Sequence, residues 1–128
     1  MTDKWTAEPR EADGGELPVW NKEWMLEHLM EDEDLVREVL ELFLTSVPGQ
    51  IQNVKTLLEA GDASGVQIQA HAIKGACSNV GGERLRAAAL KIEDAARAKD
   101  LNIVGSYLAE MELHYKSLRD EMAKELAK

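Results

Sequence analysis

Cysteine occurs only once in this chain of 128 residues, at Cys77, so no disulfide can form within it. A lone thiol is typical of proteins that work in a reducing compartment. The chain also lacks any apolar run near the roughly 20 residues that span a bilayer. Its first residues lack the basic and apolar segments of a secretion signal. These absences predict a cytoplasmic domain that makes no membrane contact.

Basic residues are also scarce. The chain holds 15 Lys and Arg against 24 Asp and Glu, which gives a formal net charge of −9. Nucleic acids and anionic membranes select proteins with clustered Lys and Arg. We therefore expect neither as a partner, and we interpret the acidic excess as solvated surface.

Apolar residues make up 45% of the chain, which is ordinary for one globular domain of this length. They recur at the 3.6-residue spacing of amphipathic helices, and no segment alternates as a strand would. The pattern predicts an all-α fold, an antiparallel up-down-up-down four-helix bundle with a short extra N-terminal helix. The predicted helices cover residues 22–30, 33–60, 62 or 64 to 80, 83–99, and a last helix that follows Asp100.

Residues 1–18 differ from the rest of the chain. They hold Pro9, Gly14 and Gly15 among many charged residues and few large apolar side chains. Such a composition predicts a flexible leader or linker, with the bundle in residues 19–128. Trp5 is the one large apolar residue there without an assigned role. The composition suits both a free-standing domain and one that belongs to a larger protein.

Pro48 lies inside the second predicted helix. Proline lacks the backbone N–H of an internal helical hydrogen bond and kinks the helix that contains it. The apolar stripe from Val36 to Leu58 nevertheless keeps its phase across Pro48. We therefore predict one long bent helix from about Glu33 to Ala60, with two helices broken near residues 46–49 as the alternative.

The stretch from residue 67 to residue 82 is the most informative. On a helix, its polar side chains fall opposite an apolar face of Val66, Ala70, Ile73, Cys77 and Val80. His71 therefore stands on the outer face, with Lys74 one turn further on. Glycine inside a helix costs about 1 kcal/mol relative to alanine, so the presence of Gly75 requires an explanation. A bare position beside His71 lets a second protein approach the imidazole, and Lys74 supplies a cation for a phosphoryl group there.

The motif His71-x-x-Lys74-Gly75-Ala76-Cys77-x-x-x-Gly81 closely resembles the signature of histidine phosphotransfer (HPt) domains. The likeness extends to the flanking helices over roughly residues 19–126, through the segments 34–43, 57–62, 83–85 and 92–93. The resemblance implies a carrier in a two-component phosphorelay. Its partners would be response-regulator receiver domains and a hybrid sensor histidine kinase.

The resemblance also implies roles for single residues. His71 would be the phosphoacceptor through Nε2, and Glu93 would accept the Nδ1 hydrogen and so orient the imidazole. Lys74 would stabilise the phosphate. The residues expected to serve access and docking are Gly75, Gln67, Ser78 and Gly81.

No metal or other cofactor is expected on this chain. It has no phosphate-binding Gly-x-x-x-x-Gly-Lys-[Ser/Thr] loop, and Mg²⁺ is expected on the partner receiver domain. We therefore predict a phosphocarrier without catalytic activity of its own, and a monomer, because each apolar stripe is only one face wide.

Three other interpretations compete with the phosphocarrier. His71 could be an ordinary surface histidine of a structural bundle. The chain could be a degenerate HPt-like bundle that acts only as a docking module. A di-iron bundle needs Glu-x-x-His on two helices, but no glutamate lies three residues before His28, His71 or His114. A metal-binding bundle is therefore the weakest of the three.

Overall fold

The structure is a computed structural model, and it describes residues 17–128. Every regular element in these residues is a helix. The five helices are α1 (Lys22–His28), α2 (Glu33–Glu59), α3 (Ala63–Val80), α4 (Glu83–Arg97) and α5 (Leu101–Leu126). None of the helices in this part of the chain combines the length and apolar character needed to cross a membrane. Trp5 and all but the last two residues of the expected leader lie outside the described residues.

Side-chain caps set where most of the helices begin. The side chains of Asn21, Asp32, Asp62 and Asp100 each accept a hydrogen bond from a backbone N–H in the first turn of α1, α2, α3 and α5, respectively. The links between α2, α3, α4 and α5 are only two or three residues long. Links this short leave successive helices antiparallel.

Helices α2 to α5 form the bundle. α3 packs against α2 and α4, and α5 packs against the same two helices from the other side. The predicted all-α up-down-up-down bundle with a short extra N-terminal helix is therefore confirmed. The core is the contiguous set of apolar stripes from all five helices.

Helix α2 continues through Pro48 without a break, so the two-helix alternative is wrong. The buried side chains keep helical spacing on both sides of the proline, at Val36, Leu40, Phe43, Val47, Ile51 and Val54. Burial of this stripe outweighs the one hydrogen bond that the proline removes.

Helix α1 closes the end of the bundle where α3 meets α4. Met25 is fully buried, and Trp20 Nε1 donates to the Val80 carbonyl at 2.8 Å. The backbone N–H of Asn21 donates to the Gly81 carbonyl at 2.8 Å. Its side-chain amide donates to the buried carboxylate of Glu83 at 2.7 Å. These bonds hold the C-terminal end of α3 against α1.

Candidate functional site

His71 lies in the middle of α3 and points out of the bundle. Its side chain is 67% exposed, whereas the neighbouring core residues Ala70 and Ile73 are fully buried. This difference follows from the amphipathic pattern, because the apolar stripe of α3 has to face the core. The imidazole is therefore accessible to another molecule.

Helix α4 supplies the hydrogen-bond partner of this ring. His71 Nδ1 lies 2.9 Å from Oε2 of Glu93, whose side chain is only 5% exposed. A carboxylate only accepts hydrogen bonds, so the hydrogen of the neutral ring belongs on Nδ1. Nε2 then keeps its lone pair and lies on the side of the ring away from Glu93. This tautomer is the nucleophilic arrangement that phosphorylation at Nε2 requires.

Two cations also contact the Glu93 carboxylate. Lys74 Nζ lies 2.7 Å from Oε1, and the Lys74 side chain is 19% exposed. Arg97 Nη2 lies 3.3 Å from Oε2, while its Nη1 lies 2.7 Å from Oδ1 of Asp94. We did not predict Arg97 from the sequence. Its position four residues after Glu93 on the same helix is the signal that could have identified it.

These contacts control the ionisation of Glu93. Burial, the largest single influence, disfavours the charged carboxylate, but the close contacts with Lys74 and His71 together outweigh it. The pKa of Glu93 therefore lies below its ordinary value of 4.5. Near neutral pH, the site holds a buried carboxylate anion directly beneath the exposed imidazole.

The other residues predicted for access and docking differ in their surroundings. A Cβ at Gly75 would meet no atom within 4 Å, so the space next to His71 is open. Gln67 is half-buried on the same helix. Ser78 is bonded within the fold, because its hydroxyl donates to the Lys74 carbonyl and accepts from Arg86 Nε at 2.9 Å.

Gly81 does not belong to the exposed face, which corrects its assignment to access and docking. It is buried at the end of α3, where its φ of 81° is left-handed and favours glycine. A Cβ there would lie 2.7 Å from the Asn21 carbonyl oxygen. Gly81 therefore ends the helix and admits the chain that leads into α1.

No group of His, Cys, Asp or Glu between residues 17 and 128 is arranged to hold a metal ion. Cys77 is fully buried, and burial raises the pKa of its thiol far above the usual range. His28 stacks on Trp24 with ring centroids 4.6 Å apart. His114 Nε2 lies 3.5 Å from a carboxylate oxygen of Glu110, one turn earlier on α5.

Comparisons with known proteins place this fold in a family. A family model described as the Hpt domain matches residues 38–124, well over half of the chain. In fold, the chain is similar to the crystal structure of histidine-containing phosphotransfer protein B (HptB) from Pseudomonas aeruginosa PAO1. That similarity has a TM-score of 0.82 and 24% sequence identity, and it covers 86% of this chain and 96% of that chain. No curated protein matches the chain. The extent of the family match shows that this chain belongs to the Hpt domain family and is a histidine phosphotransfer module.

Proposed function

We propose that His71 accepts a phosphoryl group on Nε2, from the aspartate of a receiver domain or from a kinase, and passes it to the aspartate of another response regulator. One observation carries the proposal: the exposed imidazole has its Nδ1 2.9 Å from a buried carboxylate. That contact orients the ring and leaves Nε2 as the nucleophile.

The chemical step is an in-line displacement at phosphorus. The Nε2 lone pair forms the N–P bond as the bond between phosphorus and the aspartate oxygen breaks, and the aspartate leaves as a carboxylate. The ring keeps its Nδ1 hydrogen and so becomes a cation. The Glu93 anion, in contact with Nδ1, stabilises that positive charge. The second transfer reverses the step with a different aspartate as the acceptor.

Neighbouring residues support the transfer in different ways. Lys74 supplies a positive charge within one turn of His71 and would pair with the phosphoryl oxygens. Gly75 leaves open space beside the ring, which allows the partner's active site to approach. Gln67 and Ser78 flank the same face and would contribute polar contacts to the partner.

The catalytic machinery is proposed to belong to the partner. Phosphoryl transfer from an acyl phosphate needs charge neutralisation that Mg²⁺ provides, and we assign that ion to the receiver domain. The chain itself would act as a carrier without catalytic activity of its own. We further propose that it works as a monomer in the cytoplasm, between receiver domains and a hybrid sensor kinase. The lone buried Cys77 suits that reducing compartment.

A phosphotransfer assay tests the proposal directly. The purified chain is mixed with several phosphorylated receiver domains, and any label on the chain is tested in acid and in alkali. We expect an acid-labile, alkali-stable label on the wild-type chain and on His28→Gln, a control at another exposed histidine. His71→Gln should carry no label and should unfold within about 0.5 kcal/mol of wild type, because the side chain is exposed.

Two results would contradict this proposal. Binding of a receiver without any label would favour a degenerate bundle that acts only in docking. A large loss of stability in His71→Gln would instead make His71 a structural residue.

A further inference from the structure

Glu93 is held by two cations that differ in their surroundings. The Lys74 side chain is mostly buried, and its Nζ contacts Glu93 Oε1 at 2.7 Å. Arg97 is 56% exposed, and its Nη2 contacts Oε2 at 3.3 Å from the last turn of α4. The carboxylate therefore has an inner counter-ion and an outer one, on different oxygens.

The inner contact is a close ion pair, with Lys74 Nζ 2.7 Å from Glu93 Oε1. A phosphoryl group on the nearby His71 would carry more negative charge than Glu93 and would offer three acceptor oxygens. It would therefore compete with Glu93 for the Lys74 ammonium.

Loss of Lys74 would leave Oε1 of Glu93 without its counter-ion, because the phosphorylated ring, although cationic, contacts only Oε2. A carboxylate that is 5% exposed has little access to water, and a buried oxygen atom without a polar partner is unfavourable. The carboxylate would then weaken its support of the ring or take up a proton. A second cation that is already in contact removes this penalty.

We propose that Arg97 is the reserve counter-ion of Glu93. When Lys74 turns towards a phosphoryl group on His71, the Arg97 guanidinium takes over the compensation of the Glu93 carboxylate. Its competing bond to Asp94 is exposed, and exposed ion pairs hold weakly, so the guanidinium is free to shift. Arg97 is in this sense a positioning residue, and the inference rests on the proposed phosphorylation of His71.

The inference predicts that Arg97 is important for the phosphorylated form and nearly irrelevant to the unphosphorylated form. The equilibrium of the phosphoryl group between the chain and a receiver domain measures this difference. Arg97→Ala should shift the equilibrium about fivefold towards the receiver, as expected for the loss of one charge-assisted contact. The unphosphorylated Arg97→Ala chain should melt at the same temperature as wild type. Arg97→Lys keeps the charge and should restore most of the shift.

Arg119→Ala is the matched control, because Arg119 is a similarly exposed arginine that pairs with a neighbouring aspartate, Asp120, on α5. It should leave the phosphoryl equilibrium unchanged. An equilibrium for Arg97→Ala equal to that of Arg119→Ala would overturn the reserve role while leaving phosphorylation of His71 intact. Equal destabilisation of both forms by Arg97→Ala would make Arg97 a structural residue. A wild-type chain that takes no label at all would overturn this inference together with the proposed function.

Discussion

Two glutamates of α4 are almost equally buried, yet they serve different parts of the molecule. As whole residues, Glu83 and Glu93 are each 4% exposed. Glu83 accepts from the side-chain amide of Asn21, whose oxygen also caps α1. The Asn21 backbone N–H donates to Gly81 in the α3–α4 turn. Glu93 is paired with the exposed His71 ring and with two cations. The same side chain at the same burial therefore closes the fold at one end of α4 and contacts the exposed ring of His71 further along it.

The difference lies in the freedom of the partner. Asn21 makes four hydrogen bonds within the protein, two of them through its side chain, so the contact with Glu83 has one arrangement. His71 has one such contact and an open outer side, so its ring is oriented but still accessible. Orientation by a buried acceptor with one exposed nitrogen is the arrangement that a phosphate carrier needs.

The largest expected effect compares Glu93→Gln with Glu83→Gln. Loss of a partner that orients a reactive histidine slows its reaction by about 10- to 100-fold, so we expect Glu93→Gln to slow phosphotransfer to that extent. Glu83→Gln should transfer at the wild-type rate, because Glu83 contacts the α1 end of the bundle. Rates come from the appearance of label on the chain after mixing with a phosphorylated receiver. Equal rates for the two variants would remove the distinction between the two glutamates.

The converse change is Asn21→Ala, at the end of the bundle that α1 closes. It removes the α1 cap and the partner of the buried Glu83, so we expect a loss of about 2 kcal/mol in the free energy of unfolding. The rate of phosphotransfer to the folded protein should stay within about twofold of wild type. Urea denaturation followed by circular dichroism measures the free energy of unfolding, and the label assay measures the rate of phosphotransfer. A tenfold slower transfer would show that the contact at Glu83 is coupled to the contact between Glu93 and His71.

Gly75→Leu tests access at the exposed ring. The side chain fills the open space beside His71, so transfer should fall about tenfold, the size of effect expected when reacting groups cannot reach their geometry. Folding should not suffer, because leucine favours a helix by up to about 1 kcal/mol over glycine. Gly105→Leu is the control, since a Cβ at Gly105 also meets no atom within 4 Å but lies on α5. Normal transfer by Gly75→Leu would disprove the access argument.

The smallest expected effect is the acid dependence of stability. The folded pKa of Glu93 is lowered below 4.5, so the ionised carboxylate stabilises the folded state above that pH. This contribution is lost as the pH falls through the lowered pKa of Glu93 in the folded state. The free energy of unfolding of wild type should exceed that of Glu93→Gln by about 1 kcal/mol near neutral pH. Urea titrations from pH 7 to pH 3 should show this difference shrinking only below about pH 4.5. A difference that is constant with pH would mean that the pKa of Glu93 is the same in the folded and unfolded states.

Much of this protein could be predicted from local sequence. The capping residues mark the starts of α1, α2 and α5, and the unbroken apolar stripe of α2 predicts one helix despite Pro48. The exposed position of His71 follows from the apolar stripe of α3 alone. Each of these features depends on a few neighbouring residues, and the requirement to bury apolar side chains gives them a single solution.

The partners of single residues could not be predicted in this way. Gly81 was assigned to the docking face, but it is buried against Asn21, a residue sixty positions earlier in the chain. Arg97 was not singled out at all, and Lys74 was assigned to phosphate although it contacts Glu93 in the unphosphorylated protein. These contacts depend on the rotation and register of α3 against α4 and on how α1 closes the bundle. The sequence by itself determined which residues form helices and which faces are buried, because helical periodicity is local. Only the tertiary structure decided which polar side chains meet between helices, because those distances depend on how whole helices pack.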